Sequence, residues 1–185
     1  MIAFVDESLR SSPTGRHYFV AVVVVASGDL ERSRRRVRSV LLPRQPRFHW
    51  RDESERQRLA MLETFADLGP RAFVYRCPLG SRQERSRSLC IGRMLWDLRQ
   101  IGAGELVIET REPHGDRKDR RTIGHARRDG RASPDLVYRF LRPTEEPLLW
   151  LPDALAGAAG SDWAGESRYL ENIPGQLIET VVIGA

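Results

Sequence analysis

Ile2-Ala3-Phe4-Val5-Asp6-Glu7-Ser8, and after a turn Tyr18-Phe19-Val20-Ala21-Val22-Val23-Val24-Val25-Ala26, are the two stretches that decide the fold. The first is a short apolar strand over residues 2–6 that runs into acid. The second is long and β-branched, as a buried strand should be. Ser11, Ser12, Pro13, Thr14 and Gly15 between them are turn formers, so the pair predicts a hairpin. Downstream, Asp29 is placed to cap a helix over residues 30–42 with Val37, Val40 and Leu41 on one side, stopped by Pro43 and Pro46. Phe48-His49-Trp50 reads as a short extended piece, followed by a helix over 52–68 with Leu59, Leu62, Phe65 and Ala66 inward. Gly69-Pro70 ends it.

A strand over 71–78 comes next, then the strongest amphipathic helix, 81–101, whose apolar set is Leu89, Ile91, Met94, Leu95 and Leu98, with Trp96 assigned to the core. A strand over 105–110 ends at Glu109. The span 111–133 is dense in Arg, Asp and Gly and reads as a charged loop or as a short helix near 116–127. Residues 135–141 fit a strand or a helical turn. Pro152 and Asp153 open a small-residue helix over 154–159. Residues 161–185 read as an irregular extension, 177–183 fitting no one class, with Trp163 and Tyr169 covering the last helix. This order gives one α/β domain over 1–185: a mixed sheet with an N-terminal β-hairpin, the first strand central, and flanking helices.

The 185 residues suffice for one core. Hydrophobic residues make up 41% and charged residues 30%, which excludes disorder over the whole length. No stretch has the apolar length of a membrane span, and Met1 leads directly into the first strand without a basic leader region. Cys77 and Cys90 have neither metal spacing nor a disulfide framework, so the expected compartment is the reducing cytoplasm. Oligomeric state is not legible. The net charge of +5 invites a nucleic-acid partner, yet Lys118 is the only lysine among 30 basic residues, a skew that also fits a GC-rich genome. Distribution says more. Arg34, Arg35 and Arg38 crowd one segment, and Arg117, Arg120 and Arg121 belong to a second over 117–131. Each is either a nucleic-acid face or a solvated one.

Three carboxylates sit at element ends. Asp6 closes the first strand, Glu109 closes an apolar strand, and Asp153 lies in the first turn of the last helix. Alone, Asp6 fits a turn residue and Asp153 a helix cap. Together they could face one edge of one sheet, where like charges repel and a divalent cation relieves the repulsion. Oxygen ligands of this kind suit Mg²⁺ or Mn²⁺. Glu7 is a possible fourth ligand. His49 is either an auxiliary for phosphate or proton transfer or part of a core edge.

The opening strand, the second apolar strand, Leu106-Val107-Ile108-Glu109-Thr110-Arg111, Leu149-Trp150-Leu151-Pro152-Asp153-Ala154-Leu155-Ala156-Gly157-Ala158 and Phe48-His49-Trp50 together resemble the family called domain of unknown function 3800, over about residues 2–160. The resemblance implies a ribonuclease H-like fold with metal-binding acids at Asp6, Glu109 and Asp153. It implies a Mg²⁺- or Mn²⁺-dependent nuclease acting on DNA or RNA, or else a non-catalytic domain that binds nucleic acid or protein. The chain departs from the family pattern at Leu9 (usually Gly), Glu109 (usually Asp) and Pro152 (usually Ala).

Overall fold

The computed structural model describes every residue except 14, 80–82, 172 and 185. The expected helix start at 81–82 and Thr14 of the hairpin turn therefore lie outside the described residues. Six strands form one mixed sheet in the order β5-β4-β1-β2-β3-β6. They are β1 (Ile2–Ser12), β2 (Gly15–Val25), β3 (Arg71–Pro78), β4 (Glu105–Glu109), β5 (Val137–Leu141) and β6 (Ile178–Val182). β1 and β2 are the expected hairpin, antiparallel from Ile2 opposite Val25 to Ser12 opposite Gly15. β3 continues antiparallel on β2, while β4 and β5 extend the other side in parallel and β6 lies parallel to β3. β1 is thus central, with the hairpin on one flank and a helical crossover to β4 on the other.

Both faces of β1 and β2 are covered, which is why they read as unbroken apolar runs. Side chains alternate across a strand. Ile2, Phe4, Phe19, Ala21 and Val23 pack on the face holding α1 (Leu30–Arg38), α2 (Glu55–Leu68) and α5 (Trp150–Trp163). Ala3, Val5, Tyr18, Val20 and Val22 pack on the other face, against α3 (Gln83–Gln100) and α4 (Pro113–Arg128).

Several elements differ from expectation. β1 runs to Ser12, because the hairpin ladder continues past the acidic pair. α1 ends at Arg38, and its Asp29 is in helical backbone geometry with no side-chain cap bond, after a 3₁₀ turn over Ser27–Asp29. Leu89 and Trp96 are 39% and 44% exposed, so neither belongs to the core of α3. The span 111–133 is not a charged loop: it holds the full helix α4, whose buried face carries Asp119, Ile123 and Ala126. The extension beyond 161 includes two 3₁₀ turns and the edge strand β6.

α5 begins at Trp150, three residues before Asp153. Pro152 fits inside its first turn, where a backbone N–H has no partner within the helix anyway. Ala154, Ala156, Gly157, Ala158 and Ala159 then let α5 lie close against β1 and β2. Gly157 is the tightest point, since a Cβ there would overlap the indole of Trp50. Gly157→Ala is expected to destabilise by about 1–3 kcal/mol through overpacking. With each kcal/mol worth about 2–4 °C in a domain of this size, thermal melts will show it. An unchanged Tm would mean the indole has room to move.

Candidate functional site

Strand alternation decides which acids meet. Asp6 has the parity of Ile2 and Phe4, so it projects toward α5. β4 runs parallel to β1 with Phe4 beside Val107 and Val5 beside Ile108, which brings Glu109 level with Asp6 and on the same face as Val107. The first turn of α5 supplies Asp153 over that face. All three line one pocket of about 270 Å³, together with His49, Trp50, Arg51, Arg10 and Thr110.

The side chains of Asp6 and Glu109 are hydrogen-bonded to each other. Asp6 Oδ1 also accepts the backbone N–H of Glu7 at 2.7 Å. Loss of water and the neighbouring charges of Asp153 and Glu109 push the Asp6 carboxyl well above its ordinary 3.8, against a smaller opposing pull from Arg87. Burial and Asp153 likewise raise Glu109. Their hydrogen bond raises Asp6 and lowers Glu109, so it favours the protonated carboxyl on Asp6 as donor to Glu109.

Asp153 is positioned by the segment before α2. Its Oδ2 accepts the Trp50 backbone N–H at 2.8 Å and lies 3.4 Å from His49 Nδ1. That hydrogen bond is the main reason the His49 imidazole is raised above its ordinary 6.5; burial and Arg47 act against it. Among the described residues no three His, Cys, Asp or Glu side chains are grouped as a ready metal-binding set. Asp153 is engaged by Trp50 and His49. The chemistry of the donor set nonetheless fits a hard divalent cation: three carboxylates lining one pocket, two of them raised by burial and by neighbouring carboxylate charge that a cation would offset.

Glu7, the fourth acid of the sequence reading, also lines this pocket, but from the opposite side of β1 to Asp6. It faces α3, where its carboxylate is ion-paired with Arg87 and lies 3.8 Å from Arg111. Arg87 also grips Asp119 of α4 in a two-pronged pair at 2.8 and 2.7 Å and donates to the Tyr18 hydroxyl at 2.8 Å.

The arginine candidates have separate fates. Arg34 is bound to Glu146 through three contacts of 2.6–3.2 Å and to Glu31 at 2.5 Å, so it ties α1 to the turn before α5. Arg35 and Arg38 are exposed on α1. On α4, Arg120 lies over the Phe140 ring, whereas Arg117 and Arg121 are exposed. Sequence reading missed the three arginines that line the pocket, Arg10, Arg51 and Arg111. Arg10 was findable, since it lies four residues beyond Asp6 and so on the same face. Its Nη2 reaches the Gly157 carbonyl at 3.5 Å, and its buried Nε has no hydrogen-bond partner among the described residues.

No family model matches the chain, and no curated protein matches it. Among solved structures it is similar to a chain in the structure of the PCNA:RNase HII complex from Archaeoglobus fulgidus. The TM-score is 0.57 at 14% identity, over 92% of this chain and 74% of that one. At that identity the likeness concerns the fold, which is ribonuclease H-like: a mixed sheet with flanking helices. No helix among the described residues is long and apolar enough to cross a membrane.

Proposed function

We propose that this chain is a phosphodiesterase cleaving DNA or RNA with Mg²⁺ or Mn²⁺ held by Asp6, Glu109 and Asp153. The observation that carries it is the convergence of three carboxylates, from β1, β4 and α5, on one pocket where burial and mutual repulsion disfavour their charged forms. Bound there, the cation would supply an activated water and steady the leaving oxygen of a phosphodiester. Asp153 would join Asp6 and Glu109 by giving up the Trp50 amide. His49 keeps Nε2 to pass a proton at the leaving oxygen while Nδ1 stays with Asp153. Glu7 is an anchor in this reading, since Arg87 occupies it. The motif resemblance to domain of unknown function 3800 and the likeness in fold to a structure containing RNase HII support the same class of substrate.

A second reading has its own observation. Asp153 already has two partners, as a purely structural acid would, which suits a non-catalytic domain that binds nucleic acid or protein. Labelled single- and double-stranded DNA and RNA, incubated with the chain in Mg²⁺, Mn²⁺ or chelator, separate the two. Cleavage in either metal and none in chelator is expected. Binding without cleavage under any metal would favour the second reading, and cleavage that survives chelator would place the chemistry elsewhere.

A further inference from the structure

The segment between α1 and α2 contains no regular element, yet it is firmly held. Phe48 and Trp50 are buried. Trp50 packs edge-on to Tyr169 with ring centroids 4.9 Å apart, and its backbone is fixed at both ends, by Asp153 on N–H and by Arg58 Nε on the carbonyl at 2.8 Å. Extended backbone alternates its side chains. With 48 and 50 inward, Arg47 and His49 are set on the outer side, and a turn closed by the Asp52 N–H on the His49 carbonyl at 2.9 Å then brings Arg51 to the carboxylate pocket that His49 also lines.

The stretch leading to them is braced as well. The Gln45 side chain accepts the Leu42 N–H at 3.0 Å, donates to the Arg47 carbonyl at 2.9 Å and is bonded to Glu53. Arg44 is held at φ 67, the one described non-glycine residue in the left-handed region. Such a conformation persists only where surroundings impose it, and it is frequent at binding sites.

Arg44, Arg47 and Arg51 make no side-chain hydrogen bond, ion pair or ring contact with a described residue, in contrast to Arg34 and Arg36 on α1. Three unneutralised guanidinium groups on a rigid segment are preorganised for anions. A cavity of about 480 Å³ adjoins the carboxylate pocket, with His49 lining both; Arg44 and Arg47 line it together with Asp52 and with Glu53, whose carboxylate is engaged by Gln45. Arg47 is close enough to the pocket to act on Glu109 and on His49.

We propose that residues 42–51 form a track for one nucleic-acid strand, leading its backbone past His49 to the carboxylates, with Arg44, Arg47 and Arg51 on successive phosphates. The track rests on the pocket being the place where a phosphodiester is cut, and it assigns the contacts that bring the strand there. α1, whose exposed arginines would be the alternative, lies outside it.

Binding in chelator isolates the track from chemistry. A fluorescein-labelled single-stranded oligonucleotide, followed by anisotropy from 50 to 200 mM salt, should bind the triple variant Arg44→Gln, Arg47→Gln, Arg51→Gln about tenfold more weakly than wild type. The log–log salt slope should fall by about 2, at about 0.7 for each lost contact to a single strand. Arg51→Gln alone, an exposed change that leaves the fold intact, should take about a third of that slope. Arg32→Gln, Arg35→Gln, Arg38→Gln removes the same charge from α1 and should shift affinity far less. Equal losses from the two triple variants, or an unchanged slope in the first, would overturn the track. If wild type cleaves in Mn²⁺ but the first variant binds and cleaves like it, the track is wrong and the pocket reading stands. If wild type never cleaves but the variant loses binding, the track stands without the nuclease.

Discussion

Asp6→Asn abolishes metal-dependent cleavage and, in metal-free buffer at neutral pH, raises the melting temperature. Both results follow from one arrangement. Asp6 is held above its ordinary pKa of 3.8 by loss of water and by the charges of Asp153 and Glu109. The folded state therefore binds the Asp6 proton more tightly than the unfolded chain, so stability falls as pH rises from the ordinary carboxylate range through the raised one. At neutral pH the native chain either retains that proton or tolerates crowded charge. Asparagine keeps the shape and a hydrogen bond to Glu109 and removes the charge, so each kcal/mol recovered should add about 2–4 °C. The same substitution deletes a proposed ligand. Wild type should gain Tm on addition of Mn²⁺ by mass action, and the variant should lose most of that gain. Differential scanning calorimetry between pH 5 and 8, with chelator and with Mn²⁺, reads both effects. A variant less stable than wild type in chelator would show that Asp6 is satisfied as a charge, and the case for a cation there would fall.

The sheet was legible because β1 and β2 carry it in their own residues: two apolar runs, a turn between them, acid where the apolar run stops. Asp6, Glu109 and Asp153 could be chosen on position alone, as acids at element ends. What escaped was pairing over distance. Period-2 alternation was on the page at Asp6-Glu7 and separates the two acids onto opposite faces, yet only the helix packed there shows that Arg87 awaits Glu7. The span 111–133 read as a loop or as a short helix near 116–127, because its arginines outnumber its apolar residues. It folds as α4 on three buried positions, one of them Asp119, whose charge is matched from α3. Trp96 misled in the other direction, being a large ring on the outer side of an amphipathic helix. Arg34 could not be told from Arg35 in sequence, since its partner Glu146 is 112 residues away. Arg44, Arg47 and Arg51 carried no run to flag them; a braced backbone beside the pocket singles them out.

Arg87→Met is expected to be the most destabilising of the substitutions considered. Arg87 and Asp119 are each 2% exposed, and their two-pronged pair is joined by Tyr18 and by Glu7. Removing one partner of a buried pair leaves an uncompensated charge, at roughly 3–5 kcal/mol. Arg111, 3.3 Å from Asp119, takes up only part of it, so the fall in Tm should be about 6–20 °C. Adding Asp119→Leu to Arg87→Met should restore part of the loss, because a matched apolar replacement removes both charges, and Glu7, 23% exposed, retains Arg111 and water. The double-mutant cycle measures that coupling. Glu7→Gln then decides the acid's role. As an anchor it should lower Tm yet leave Mn²⁺ affinity within a few-fold of wild type by isothermal titration, unlike Asp6→Asn. A loss of Mn²⁺ affinity as large as that of Asp6→Asn would return Glu7 to the ligand set, and the division of the two acids between the faces of β1 would no longer explain the site.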